Sequence, residues 1–203
     1  MPYRAYVDEL YEVRPWFSSP EFDGSRGRAL VLPGAGYTVD HPALFWACQV
    51  LAQVGWRVVT MRWRTDDVGE AERRNFVEQG AELLAAEAGP APRTLVLAKS
   101  LGSYAAVWAS GRGYPAIWLT PVLTDGSVAG ALRTYAAPSL LIGGTADPLW
   151  STPGLAGCAA EQQVLELDGI DHALHRPGDW QASLAALRQT LTAIETFADT
   201  QGV

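Results

Sequence analysis

Residues 93 to 104, Arg-Thr-Leu-Val-Leu-Ala-Lys-Ser-Leu-Gly-Ser-Tyr, leave this chain little freedom in how it folds. Leu95 to Ala98 is an apolar run of strand length, and Tyr104 to Ser110 reads as helix. Between the two there is almost no loop, and Ser100 sits at the corner. A residue held there tends toward positive φ, which a side chain with a Cβ adopts only when its surroundings force it. Ala98 and Gly102, two places before and after, are small enough to let strand and helix pass closely. The predicted outcome is a hydroxyl pushed out at the carboxyl end of a strand. It stands beside a helix N-terminus, which favours developing negative charge.

The rest of the chain builds a sheet around that corner. Residues 1 to 27 hold one or two edge strands, over Tyr3 to Val7 and Glu12 to Phe17, and then a loop. Ala29-Leu-Val-Leu-Pro33 is a buried-strand run ending in the turn Gly34-Ala35-Gly36-Tyr37. Asp40 reads as an N-cap with Pro42 in the first turn, and Leu44, Cys48, Leu51 and Val54 follow at helical spacing. Trp56 to Met61 is a strand, and Asp66 begins a charged helix that runs to about Ala88 and stops at Gly89-Pro-Ala-Pro92. Further strands are Ala116 to Thr120, Pro138 to Ile142 and Val164 to Leu167, with helices expected near 125–135, 151–160 and from Asp179 onward. In the last of these Trp180, Leu184, Leu187, Leu191 and Ile194 mark the core side.

Six alternations of Val/Ile/Leu-rich strand and helix mean a mostly parallel twisted sheet with helices on both faces. The expected architecture is a three-layer α/β/α sandwich of about six to seven strands, a single domain over residues 1–203. Ligands of such sheets bind outside the carboxyl ends of the strands.

A formal net charge of −7 with scattered basic residues argues against nucleic-acid and anionic-membrane partners. No run approaches the length of a membrane span, and the acidic N-terminal residues do not suit a signal peptide. A cytoplasmic location follows, with Cys48 and Cys158 expected as free thiols. Most of the eight tryptophans are expected to serve as packing.

Beyond the successive strand ends stand Gly34-Ala35-Gly36-Tyr37, Ser100, Asp147 and His172. A serine hydroxyl needs an imidazole to take its proton, and the imidazole needs a carboxylate to fix its tautomer. An oxyanion needs preorganised N–H donors, which Leu101 and either Ala35 or Gly36 can supply.

With these residues in place the chain resembles the α/β-hydrolase superfamily, in the small lidless branch that includes dienelactone-hydrolase-like proteins. The order serine, acid, histidine is that of the family. The resemblance covers nearly the whole chain from Ala29 onward. The usual elbow is Gly-x-Ser-x-Gly; here Ala98 replaces the first glycine and adds only a methyl. The dienelactone hydrolases themselves carry a cysteine nucleophile, so their particular reaction is not carried over. The resemblance implies Ser100 as nucleophile, His172 as base in preference to His175, and Asp147 as acid, since Gly143-Gly-Thr-Ala-Asp147-Pro148 fits the acid turn. Asp125 and Asp171 are the rival acids. The oxyanion donors are then Leu101 and Ala35, and Gly36, Tyr37, His41, Trp118 and Trp150 are candidate pocket residues. Lys99 is read as facing solvent or a carboxylate, without a chemical role.

Only residues 121 to 137 separate two strands where a lid would be inserted, so the site should be open. The expectation is a serine hydrolase cleaving a small carboxylic ester or related acyl bond through an acyl-enzyme, with no cofactor, no metal and a small-molecule acyl substrate as partner. A catalytically inactive binding or scaffold protein of the same fold, or a peptidase or acyltransferase using the same three residues, is the alternative.

Overall fold

Runs of branched aliphatic residues set the centre of the molecule. In a computed structural model, which describes residues 6–7, 10–17, 25–151 and 162–201, they form one eight-stranded sheet. The strands are β1 (Tyr6–Val7), β2 (Tyr11–Pro15), β3 (Gly27–Leu32), β4 (Trp56–Trp63), β5 (Thr94–Lys99), β6 (Ala116–Leu119), β7 (Ser139–Gly144) and β8 (Gln162–Leu167), in the spatial order β1-β2-β4-β3-β5-β6-β7-β8. The strands from β3 to β8 are parallel, and β2 joins β4 antiparallel, with β1 antiparallel outside it. This is the mostly parallel sheet read from the alternation, with the N-terminal segment adding the edge strands. Residues 3 to 5 of the expected first edge strand lie outside the described residues, and β2 ends at Pro15, two residues short of the expected Phe17.

Every residue of β3, β5, β6 and β7 is buried, as a sheet covered on both faces requires. On one face lie α1 (Pro42–Gln53) and α5 (Trp180–Thr200); on the other lie α2 (Arg73–Glu87), α3 (Ala106–Ser110) and α4 (Gly126–Arg133). Two apolar clusters result. One gathers Leu30, Val96, Ala98, Leu101, Tyr104 and Trp118; the other gathers Val31, Leu95, Leu97, Leu51, Ile170 and Phe197. The alternation Leu95/Val96/Leu97/Ala98 sends side chains of one strand to the two clusters in turn, by the two-residue period of a strand.

Several helix readings need correction. The N-cap of α1 is His41, because Asp40 is drawn away into a paired contact with Arg62 at 2.5 and 2.7 Å. The charged helix begins later than Asp66: a 3-10 turn at Glu70–Glu72 precedes α2, and Gly69 donates its N–H to the Glu72 carboxylate. After Ser100 the chain winds as a 3-10 helix to Ala105 before the short α3, and Val107 is exposed, so this helix is not apolar-covered all round. In α5 the buried stripe is Ala186, Thr190, Ile194, Phe197 and Ala198, while Trp180 and Leu184 are exposed at 70% and 55%. The helix packs chiefly against α1 and also against β7 and β8, so the buried stripe is set by these neighbours rather than by the largest apolar residues. Asp179 does cap α5, accepting the N–H of Ala182 at 2.9 Å. Cys48 is a buried free thiol, its pKa pushed up by desolvation, while Cys158 and the expected 151–160 helix fall outside the described residues apart from Ser151. No helix among the described residues is long and apolar enough to cross a membrane.

Candidate active site

The corner at Ser100 has the strained form its sequence implies. Ser100 has φ 50°, in the left-handed region. Gly102 behind it is obligatory: a Cβ there would lie 2.6 Å from the carbonyl oxygen of Leu32. Gly102 also donates its N–H to Pro33 O at 3.1 Å, which ties the corner to the end of β3. Ser103 closes the turn from inside, its hydroxyl donating to Ser100 O at 2.6 Å. Ala98, at the position where glycine is usual, is wholly buried in the α2-side cluster.

Three strand ends bring their polar groups together. His172 Nε2 lies 2.7 Å from Ser100 Oγ, and His172 Nδ1 lies 2.8 Å from Asp147 Oδ2. The Asp147 side chain is fully buried and that of His172 is 31% exposed, so the imidazole bridges a dry carboxylate and a hydroxyl open to the cavity. Asp147 is fixed by its own turn, Oδ1 accepting the N–H of Leu149 at 2.8 Å.

The other acids and histidines are engaged elsewhere. Asp125 caps α4, accepting from Ser127 N, Val128 N and the Ser127 hydroxyl, and takes the Tyr104 hydroxyl at 2.9 Å. Burial works to raise its pKa, but these hydrogen bonds outweigh that and hold it low. Asp171 holds the loop that bears the imidazole, Oδ1 accepting from Ala173 N and His175 N at 2.9 Å each. His175 is exposed on that loop. His41 is exposed too; its Nδ1 accepts from Thr38 N, and its ring lies 4.6 Å from that of Tyr37.

Ala35 and Leu101 line one cavity with Ser100, of about 370 Å³, together with Glu70, Arg73, Tyr104, Val122, Thr124, Asp125 and Leu149. Leu101 opens the 3-10 turn, where a main-chain N–H has no partner within the helix. The Ala35 loop is anchored from outside: Trp63 Nε1 donates to Gly34 O at 2.9 Å, and Gly34 N donates to Tyr37 O at 3.0 Å. Gly36 faces open space.

Two expected pocket residues are packing residues. Trp118 is fully buried on β6 with its ring edge-on to Tyr135, because its position alternates into the α4-side cluster rather than toward the strand end. Trp150 folds back over β7, where a Cβ on Gly143 would strike its ring, and its Nε1 donates to Glu166 at 2.6 Å. It braces the Asp147 turn instead of lining the cavity. Tyr37 does line a cavity, but a second one, of about 690 Å³, walled by Asp171, Leu174, Trp180 and Leu184. Burial raises the pKa of its phenol, whose oxygen accepts the N–H of Ala43.

Lys99 overturns its sequence reading. It is fully buried, and its Nζ donates to Thr120 Oγ1 at 2.6 Å and to the main-chain oxygen of His172 at 2.7 Å. Strand parity was the available signal: Lys99 shares a face with Leu95 and Leu97, the face on which the loop after β8 packs. Desolvation lowers its pKa from 10.5 to about 7, against the pull of Asp147 and Asp171. Between those two values the unfolded chain holds a proton that the folded chain lacks, so stability rises with pH across that window. Denaturant unfolding at about pH 7 and about pH 10 should show this gain in the wild type and a smaller one in Lys99→Met.

No family model matches the chain, and no curated protein matches it. Among solved structures it is similar to an alpha-beta serine hydrolase homologue from Coxiella burnetii, with TM-score 0.72 at 14% identity over 97% of each chain. It is similar to a lidless α/β serine hydrolase from Xanthomonas campestris, with TM-score 0.70 at 16% identity over 97% of this chain and 94% of that one. Est1E from Butyrivibrio proteoclasticus, with ferulic acid bound, aligns with TM-score 0.67 at 12% identity over 94% and 96% of the two chains. The chain has the α/β-hydrolase fold. Among the described residues α4 is the one helix between β6 and β7, and no cap is seen there.

Proposed function

We propose that the protein is a serine hydrolase that cleaves a small carboxylic ester or related acyl bond. The observation that carries this reading is the hydrogen-bonded line from Ser100 Oγ through His172 to Asp147, at 2.7 and 2.8 Å. Ser100 attacks the acyl carbon while His172 Nε2 takes its proton. Asp147, too buried to exchange with solvent, holds Nδ1–H and stabilises the imidazolium that forms. The N–H groups of Leu101 and Ala35 receive the oxyanion, in keeping with their place on the wall of the Ser100 cavity. His172 then returns the proton to the leaving alcohol, and a water repeats the sequence to release the acid.

The cavity supports a small acyl group. Its volume of about 370 Å³ suits a short-chain or single-ring acyl group, with Leu101, Val122 and Leu149 as apolar wall. The rest of its lining includes the polar residues Arg73, Tyr104 and Asp125.

Ser100 should take a fluorophosphonate label, and Ser100→Ala should remove both the label and turnover of p-nitrophenyl acetate, a loss of about 10⁶-fold in kcat. A wild-type protein that takes no label, or a Ser100→Ala variant that keeps its turnover, would refute the reading.

A further inference from the structure

A lysine with no exposed surface demands a reason, because a buried ammonium costs folding free energy. Lys99 Nζ has three N–H groups and meets three acceptors: Thr120 Oγ1 at 2.6 Å, His172 O at 2.7 Å and the face of the Tyr37 ring, 4.4 Å from its centroid. Those partners satisfy the donors of a buried amine. Asp147 and Asp171 lie close enough to favour its charge. Thr120 is itself unusual, a fully buried β-branched residue at φ 41° just past the end of β6. Its hydroxyl and the His172 carbonyl are brought to one point by two different segments, and Lys99 is what joins them there.

The residue stands immediately before Ser100, at the end of β5, and reaches the backbone of the residue that bears the imidazole. One side chain therefore links the strand that presents the hydroxyl to the loop that presents the base. We propose that Lys99 is a positioning residue: its Nζ, by donating to the main chain of His172, holds the imidazole in line between Ser100 and Asp147. This rests on the reading of His172 as the base for Ser100. The loop has other ties, through Asp171 to Ala173 and His175 within it and from Ala146 N to Ile170 O beside Asp147, and Lys99 adds the tie from β5, the strand that leads into Ser100.

The role predicts an uncommon pairing of effects. Lys99→Met fills a similar volume and removes the cost of a buried charge, but it takes the donor from Thr120 Oγ1 and His172 O, so the two effects offset and its thermal midpoint should stay within a few degrees of that of the wild type. Its kcat on p-nitrophenyl acetate should nevertheless fall by about 10²-fold, with KM little changed, as expected when a reacting group loses its alignment. Lys99→Gln, which keeps a donor toward His172 O, should recover part of that loss. The chain has three histidines, so their ring signals can be separated by two-dimensional NMR. In Lys99→Met the His172 signals should broaden or double while those of His41 and His175 stay in place.

A fall in midpoint that parallels the fall in kcat would make Lys99 a structural residue and overturn the proposal. Unchanged His172 signals would overturn it as well. The two readings separate cleanly: absence of fluorophosphonate labelling in the wild type defeats the hydrolase reading alone, and the NMR comparison still decides whether Lys99 holds the imidazole.

Discussion

Asp147→Asn should lower kcat by about 10⁴-fold while leaving the thermal midpoint close to that of the wild type. The amide is nearly the shape of the carboxylate, and its oxygen can still accept the N–H of Leu149, now met at 2.8 Å by Asp147 Oδ1. What it cannot do is hold Nδ1–H with a full negative charge. The imidazole is then free to carry its proton on Nε2, facing Ser100, where a base must be bare. Ester turnover and a melting curve on the same preparation test this. Asp125→Asn is the matched control. Asp125 lies against the same cavity but caps α4, a role asparagine fills about as well, so its replacement should change stability little and leave turnover nearly intact. If the two variants exchange these outcomes, the acid has been assigned to the wrong strand end.

Gly144→Ala should destabilise the protein by about 3 kcal/mol, a drop of roughly 6–12 °C in midpoint for a chain of this size. A Cβ on Gly144 would lie 2.1 Å from Ile170 O and 2.6 Å from Ile170 C. Both are main-chain atoms, so no rotamer change relieves the contact. The end of β7 and the segment after β8 must move apart, and these carry Asp147 and His172. Activity should therefore fall together with stability. Gly36→Ala should leave stability unchanged, because a Cβ there meets nothing within 4 Å. Calorimetry on the two variants decides it; equal midpoints would mean that the close approach of Gly144 to Ile170 relaxes freely.

The difference between these two glycines shows which kinds of feature a sequence displays. Strand runs such as Leu95 to Ala98, and the small frame around Ser100, are local: they can be read because each depends on neighbours a few residues away. The order of Ser100, Asp147 and His172 along the chain could be read as well, since a parallel sheet delivers each strand end to the same edge. What could not be read was contact between segments. Nothing near Gly144 in the chain announces Ile170, and nothing near Trp150 announces that its ring lies over Gly143. Trp118 was placed at the pocket by its nearness to a strand end, but its face of the strand decides its neighbours, and that face is the core. The offset of the buried stripe on α5 likewise depends on which elements the helix packs against, chiefly α1, which periodicity alone does not fix. Lys99 is the intermediate case. Its inward face was available from strand parity, but its partner, the His172 carbonyl, comes from a loop 73 residues away.

The sheet divides the interior into two separate apolar compartments, and the candidate site straddles the partition. Leu101 and Tyr104, which seat the turn after Ser100, belong to the α2-side compartment; Ile170 and Leu174, which seat the loop of His172, belong to the α1/α5 side. Nucleophile and base are thus suspended from different foundations, and the 2.7 Å contact between them is the joint where the foundations meet. A packing fault in either compartment would settle one foundation relative to the other and open that joint, at a distance from any residue that touches substrate.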